Sequence, residues 1–242
     1  HTMLIDEGAT IDVQKSVEGL EARLIHQVGG TITVKSSDDG LNAKDWTLES
    51  SEAQRPGQQT KTVKAEAANA KNLDQAGKVK IVIDGGTLTV DAEGDGLDAN
   101  GSIEINGGTV VVNGPTSGAN AALDYDNNAK LNGGTVLFVD NGGMTMGFGS
   151  DSSQAFLMAS VQGTAGATVE VVDSSGKTVA SLKASKSFST VLISSPEIKE
   201  GEKYTIKVGS NSTTATASKQ ATNVGGRSGG GGRPGQGGRP GG

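Results

Sequence analysis

The chain of 242 residues contains no cysteine, so no disulfide scaffold holds it together. Histidine occurs only twice and aromatic residues make up 3% of the sequence. That leaves few nitrogen or sulfur ligands for zinc or copper, and few rings on which the CH faces of glucose could stack. No apolar run approaches the ~18–20 residues that span a bilayer, and no signal-peptide core is present, so no membrane insertion is expected. His1-Thr2-Met3 reads as an expression remnant, the expectation being that a secretion signal and further repeats precede this sequence. Positive charge is also short: 21 basic against 27 acidic residues give a net charge of −6. The last 18 residues, GGRSGGGGRPGQGGRPGG, hold three arginines and no acid, so the remainder carries −9. Such a balance argues against nucleic acid as a partner.

Glycine, by contrast, is abundant at 38 residues, and much of it belongs to a repeated phrase. Gly29–Ala43 reads GGTITVKSSDDGLNA and Gly85–Ala99 reads GGTLTVDAEGDGLDA. Gly8–Ala22 is a degenerate copy, Gly107–Ala121 keeps the frame without the acid, and Gly133–Asn141 keeps only the first half. The anchoring threonines are Thr10, Thr31, Thr87, Thr109 and Thr135, at steps of 21, 56, 22 and 26 residues. A period near 21–22 built from short strands and glycine corners predicts a solenoid of strands, a parallel β-helix with three strands per coil. One and three residues after each threonine stand apolar side chains, among them Ile32 and Val34, Leu88 and Val90, Val110 and Val112. This alternation marks the inward face. Ten and twelve residues on, Leu20/Ala22, Leu41/Ala43, Leu97/Ala99 and Ala119/Ala121 predict a second inward edge, and Ile81/Ile83 and Ile103/Ile105 a third.

The outward columns carry the chemistry. Glu18, Asp39, Asp95 and Ser117 lie eight residues after threonine, and Glu21, Asn42, Asp98 and Asn120 lie eleven after. Asp38 precedes Asp39, and Asp124 and Asp126 follow the fourth copy. Stacked one strand spacing apart, two such carboxylates repel by roughly 3–4 kcal/mol at an effective dielectric near 20. Hard oxygen donors in this pattern point to Ca²⁺ between the coils, with Glu18, Asp38, Asp39, Asn42, Asp95, Asp98, Asn120, Asp124 and Asp126 as candidate ligands. The other reading is solvated turn chemistry, for which Asp-Gly and Asn-Gly are ordinary. A further column, thirteen residues after threonine, holds Arg23, Lys44, Asn100 and Ala122. Arg23 and Lys44 either damp the acidic repulsion or hold the carboxylate of an acidic sugar. Tyr125, between two aspartates, is the candidate exposed ring, Trp46 reads as core, and His26 as an ordinary residue without a partner motif.

Residues 49–78 leave the repeat and read as an excursion from one corner of a 1–150 helical unit. From about residue 150 an antiparallel pattern of six strand-like runs replaces the repeat, with Asp173-Ser-Ser-Gly176 as a hairpin turn. Gly201-Glu-Lys-Tyr204 resembles the corner leading into a sandwich strand. Residues 151–224 are thus expected to form a small antiparallel β-sandwich-like domain capping the helix, and 225–242 a flexible tether.

The segments KSVEGLEA, SSDDGLNA, GGTLTVDAEGDGLDANGSIEINGGTVVVNGPTSGANAALDYD and KSFSTVLISSPEIKEGEKYTIKVG together resemble the bacterial secreted carbohydrate-binding β-helix family, over roughly residues 8–224. The resemblance implies an all-β, right-handed, polysaccharide-lyase-like parallel β-helix that contains Ca²⁺ and binds plant cell-wall polymers. By it, Glu18, Asp39, Asp95, Asp98, Asp124 and Asp126 fall where the family carries its acidic motif residues. The expected function is an extracellular, non-catalytic module, secreted or attached to the cell surface, for an acidic or cellulosic polysaccharide. The alternatives are a surface or adhesin stalk and a pectate-lyase-like eliminase, which needs a base above Ca²⁺-bound uronate for which Arg23 and Lys44 are the only stacked candidates.

Overall fold

A computed structural model describes residues 1–45, 78–118 and 120–221. Of the excursion expected at 49–78, residues 49–77 lie outside the described residues, as do Trp46, Ala119 and the 225–242 tether. All the regular structure described is β.

The glycine corners cut residues 1–140 into short strands in a fixed rotation. They run β1 (Thr2–Ile5), β2 (Thr10–Ser16), β3 (Leu20–Ala22), β4 (Leu24–Gln27), β5 (Thr31–Ser36), β6 (Leu41–Ala43) and β7 (Lys80–Ile83). Then follow β8 (Thr87–Ala92), β9 (Leu97–Ala99), β10 (Ser102–Ile105), β11 (Thr109–Asn113), β12 (Leu123–Tyr125), β13 (Asn128–Leu131) and β14 (Thr135–Asp140). Every third strand returns to the same sheet. The first sheet is β1-β4-β7-β10-β13, the second contains β14-β11-β8-β5-β2, and the third is β12-β9-β6-β3, with all of these neighbours parallel. The anchoring threonines pair in register, Thr10 with Thr31, Thr31 with Thr87, Thr87 with Thr109 and Thr109 with Thr135. The 56-residue step leaves the register unbroken, since β5 pairs directly with β8.

One corner shows why glycine is required. The second glycine of each Gly-Gly pair before an anchoring threonine has positive φ (Gly30 72°, Gly86 76°, Gly108 81°, Gly134 93°), and these glycines stack on one another. A Cβ on Gly86 would stand 2.3 Å from the carbonyl oxygen of Gly30, so both the dihedral angle and the space exclude a side chain.

The three sheets enclose one core. Ile32, Leu88, Val110 and Val136, with Val34, Val90 and Val112, are fully buried against Ile25, Ile81, Ile83, Ile103 and Ile105. Each such side chain contributes about 1.5–3 kcal/mol by leaving water. In the first copy Ile11 and Val13 are only part-buried, because β2 is the outermost strand of its sheet. At the other end the core closes on an aromatic cluster: Phe148 meets Phe138 edge-on at 5.8 Å between ring centroids and Phe156 at 5.6 Å.

The fourth copy departs from the expected columns. β12 pairs Leu123 with Leu97, Asp124 with Asp98 and Tyr125 with Ala99, an offset of 26 residues, whereas β11 pairs with β8 at an offset of 22. Four extra residues are therefore inserted in the corner between β11 and β12, where Gly118 has φ of 91°. Leu123, not Ala119, continues the leucine column, and Asn120 falls in the inserted corner rather than in line with Asp98.

All six expected antiparallel strands are present: β15 (Leu157–Gly163), β16 (Thr168–Val172), β17 (Thr178–Lys183), β18 (Phe188–Ser194), β19 (Lys203–Val208) and β20 (Asn211–Thr216). They do not form a sandwich by themselves. β18 pairs antiparallel with both β14 and β15, extending the second sheet beyond its last parallel strand. β17-β16-β19-β20 form a separate antiparallel sheet. The reason lies in β14. Its Val-Leu-Phe-Val run is buried on both faces, so Leu137 and Val139 meet Val169, Val171 and Ile206 while Val136 and Phe138 face the first core. Near Gly201 the hydroxyl of Tyr204 accepts the Lys199 N–H at 2.9 Å, the bond expected of a tyrosine corner.

Candidate functional site

The Gly-Leu-x-Ala segments fix the site. In β3, β6 and β9 the leucine and alanine point into the core, so the residue between them points away. Register then aligns Glu21, Asn42, Asp98 and Asp124 in one row across four strands of the third sheet. A second row runs along the preceding corner. Backbone bonds from Gly19 to Asp39, Gly40 to Asp95 and Gly96 to Ala121 place Glu18, Asp39, Asp95 and Ala121 in line. A third row follows β3, β6, β9 and β12. The amides of Lys44, Asn100 and Asp126 donate to Ala22, Ala43 and Ala99, so Arg23, Lys44, Asn100 and Asp126 stack. With strands ~4.8 Å apart, seven of the nine expected metal-ligating residues share one surface. Asp38 lies at its edge, and Asn120 is the one displaced.

The second row explains part of its own stacking. Asp39 Oδ1 accepts the N–H of Asp95 at 2.8 Å, and Asp95 Oδ1 accepts the N–H of Ala121 at 2.6 Å. Each acid thus caps a corner amide of the next coil, a charge-assisted bond that offsets some of the repulsion. Asp140 makes a similar cap in the opposite direction, on an amide of the preceding coil, although no column pointed to it. Its Oδ2 accepts the Ala122 N–H at 3.1 Å, and its Oδ1 accepts the Gly142 N–H and the Thr145 hydroxyl. The only signal was an acid in a position where other copies carry small residues or lysine.

Hydrogen bonds do not neutralise these rows. Burial, with the charges of Asp124, Asp39 and Asp38, pushes Asp95 up to about 7, despite the Ala121 bond acting the other way. Burial and the charges of Asp39, Asp95, Asp124 and Asp126 push Asp98 up to about 7 as well. Asp98 accepts no hydrogen bond among the described residues. Glu18 and Asp39 are also raised, each chiefly by burial, while the charge of Lys44 pulls both down. Lys44 therefore damps the acidic rows. Arg23 Nη1 lies 3.8 Å from the buried carboxylate of Asp45.

The donor set can be tested against a bound cation. Among the described residues Glu18 Oε2 and Asn42 Oδ1 are buried without a hydrogen-bond partner, although Asn42 Nδ2 donates to Asp39 Oδ2 at 3.3 Å. Beside them, Asp39 Oδ1 and Asp38 Oδ1 stand 2.5 and 2.6 Å from where a Cβ on Gly94 would be, a cradle that only glycine leaves open. Among the described residues no three histidine, aspartate or glutamate side chains converge closely enough to hold an ion between them. An ion here would combine one or two carboxylates with Asn42, corner carbonyls and water. All are hard oxygen donors, and that mixture suits Ca²⁺.

Two further residues sit differently from their sequence reading. Tyr125 takes the inward position of Ala99, is half-buried, and its hydroxyl donates to the Gly147 carbonyl at 2.8 Å. It is not an open platform. His26 does have a partner: Nε2 lies 2.6 Å from Asp84 Oδ2, and Asp84 Oδ1 accepts Asn106 Nδ2 at 2.7 Å. Asn106 Oδ1 accepts Asn132 Nδ2 in turn, so a polar ladder runs along the Gly-Gly corner. The bonds from Asn106 and His26 hold Asp84 below the usual carboxylate range. No protein-family model, curated protein or solved structure matches the chain.

Proposed function

We propose that this chain is an extracellular, non-catalytic polysaccharide-binding module that carries Ca²⁺ on the polar rows of its third sheet. In this reading residues 1–150 form a right-handed parallel β-helix. The hand follows from the near-universal right-handedness of parallel crossovers. Residues 151–224 cover its last coil. The observation that carries the proposal is the pair of adjacent rows, Glu18/Asp39/Asp95 and Asn42/Asp98/Asp124, in which burial and neighbouring charges disfavour the charged forms of Glu18, Asp39, Asp95 and Asp98. A divalent cation relieves that repulsion and leaves coordination positions open to uronate oxygens of an extended chain lying along the sheet. Asp95, Asp98, Asp124 and Asn42 would hold the ion. The engagement of Arg23 with Asp45, and of Lys44 with the acidic rows, supports a non-catalytic role, since neither stands as a spare base above a bound uronate.

Pull-down on a pectate gel tests this. Binding should require Ca²⁺ and fall at least tenfold in Asp95→Asn/Asp98→Asn. Binding that survives EDTA but vanishes in Arg23→Ala/Lys44→Ala would place the ligand on the basic pair instead.

A further inference from the structure

A groove opens beyond the end of β14, where the end of β15, the start of β18 and the β19–β20 turn meet. Two adjoining clefts of about 730 and 490 Å³ share Asn141, Gln162, Ser189 and Asn211, so they form one open trough. Charged residues are 20% of the chain, yet among the described residues none lines either cleft. Beneath the polar walls lie Val161, Phe188 and Val208, all buried.

The trough is built, not left over. β15 carries a bulge between Ser160 and Gly163, a device that re-aims side chains, and Gln162 lies within it. Carbons of the Phe188 ring stand 2.2–2.8 Å from where a Cβ on Gly163 would be, so any side chain there would displace the floor. Asn211 Nδ2 donates to the Gln162 carbonyl at 2.9 Å, pinning the turn to β15, and the Ser189 hydroxyl donates to the Asn141 carbonyl. Around these fixed points, the side chains of Gln162, Thr164, Ser187 and Ser210 form no hydrogen bond among the described residues. They are free donors and acceptors aligned on an apolar floor.

We propose that this trough binds a neutral oligosaccharide chain, independently of Ca²⁺ and of the acidic rows. Sugar hydroxyls both donate and accept, which matches amides and hydroxyls, and their C–H faces suit the floor. A uronate or a basic peptide would lose hydration here without gaining an opposite charge.

The full chain in EDTA, titrated with cellohexaose, xylohexaose, mannohexaose and a neutral Ser/Gly-rich peptide and followed by amide ¹H–¹⁵N shifts, tests the proposal. At least one hexasaccharide should move the amides of 160–164, 187–190 and 209–213. Gln162→Ala should weaken that binding about tenfold, the loss of one or two hydrogen bonds, because this exposed side chain supports nothing else. Asp98→Asn, which disables the proposed Ca²⁺ rows, should leave it unchanged. The proposal fails if no hexasaccharide moves these amides, if only the peptide does, or if Asp98→Asn abolishes the effect. Failure of the parent protein to bind pectate in Ca²⁺, with trough binding intact, would refute the Ca²⁺ reading alone.

Discussion

Changing Asp95 and Asp98 together to asparagine should stabilise the Ca²⁺-free protein at pH 8, although it removes two charges from a hydrated surface. Both carboxyls titrate near 7 in the folded chain, against an ordinary aspartate value of 3.8. Between those values the folded state binds more protons than the unfolded state, so stability is full near pH 4 and is lost as pH rises to about 7. Taken singly, a shift of about three units corresponds to about 4 kcal/mol. Water still reaches both groups and each shift counts the other's charge, so about 3 kcal/mol for the pair is the appropriate figure. In a chain of this size that is roughly 6–12 °C in Tm. Asparagine keeps an Oδ1 acceptor for the Ala121 N–H, so the corner bond survives the change. Thermal melts in EDTA at pH 4.5, 6 and 8 provide the assay. The parent should lose Tm steadily with rising pH. The variant should be flatter, with a residual slope from Glu18 and Asp39, which are also raised. Ca²⁺ should restore the parent at pH 8 and leave the variant unmoved. A parent Tm that is level or rising between pH 5 and 8 in EDTA, or a variant no more stable than the parent at pH 8, refutes the reasoning.

The protein should show no lyase activity on polygalacturonate. Steady growth of unsaturated-uronate absorbance, abolished by Arg23→Ala, would show the opposite. Gly86→Ala should destabilise by about 2–4 kcal/mol, combining a non-glycine residue at φ of 76° with a 2.3 Å approach to the Gly30 carbonyl, as denaturant titration will show. Lys186 ties the β17–β18 loop to the stack: its Nζ lies 3.0 Å from both Asp91 and Glu93 and donates to the Ala92 carbonyl at 2.6 Å. Lys186→Met leaves that carbonyl and Asp91 short of a partner and should cost about 2–3 kcal/mol. Faster proteolysis of the loop at 184–187 is the readout.

The parts of this fold that were legible in the sequence are those that a short period dictates. Threonine anchors, alternating apolar residues and paired glycines each follow from a local requirement, namely side-chain alternation in a strand or positive φ at a corner. All of them therefore keep register through β2, β5, β8, β11 and β14. The same logic misplaced the second half of the fourth copy, because counting from the threonine assumes a corner of constant length. A better guide was present. Leu123-Asp-Tyr125 repeats the apolar–acid–apolar order of Leu97-Asp-Ala99, and aligning on it brings Asp124 beside Asp98 without any structure. Contacts such as Lys186 with Asp91 join residues 95 positions apart with no period relating them, and nothing local announces them.

The acidic rows show how a correct pattern can rest on an incomplete cause. In the sequence alone, stacked carboxylates call for a cation because bare repulsion of roughly 3–4 kcal/mol per pair has no other relief. The structure supplies a second relief, since Asp39, Asp95 and Asp140 each accept a corner N–H from a neighbouring coil. Had that relief been sufficient, the row of corner acids would titrate normally. Asp95 makes such a bond and is still raised to about 7, while Asp98, one row away, makes none among the described residues and is also raised to about 7. The amide caps therefore account for why acids occupy the corner, and not for why a second row of acids lies beside it. It is the second row, Asp98 with Asp124 and the unpartnered oxygen of Asn42, that still calls for a cation. Mutating the two rows separately will distinguish their roles. Asp39→Ala removes a cap and should lower stability with or without Ca²⁺, whereas Asp98→Asn should abolish the Ca²⁺-dependent part of the Tm and spare the rest. If both variants respond to Ca²⁺ as the parent does, the rows are structural and the cation lies elsewhere.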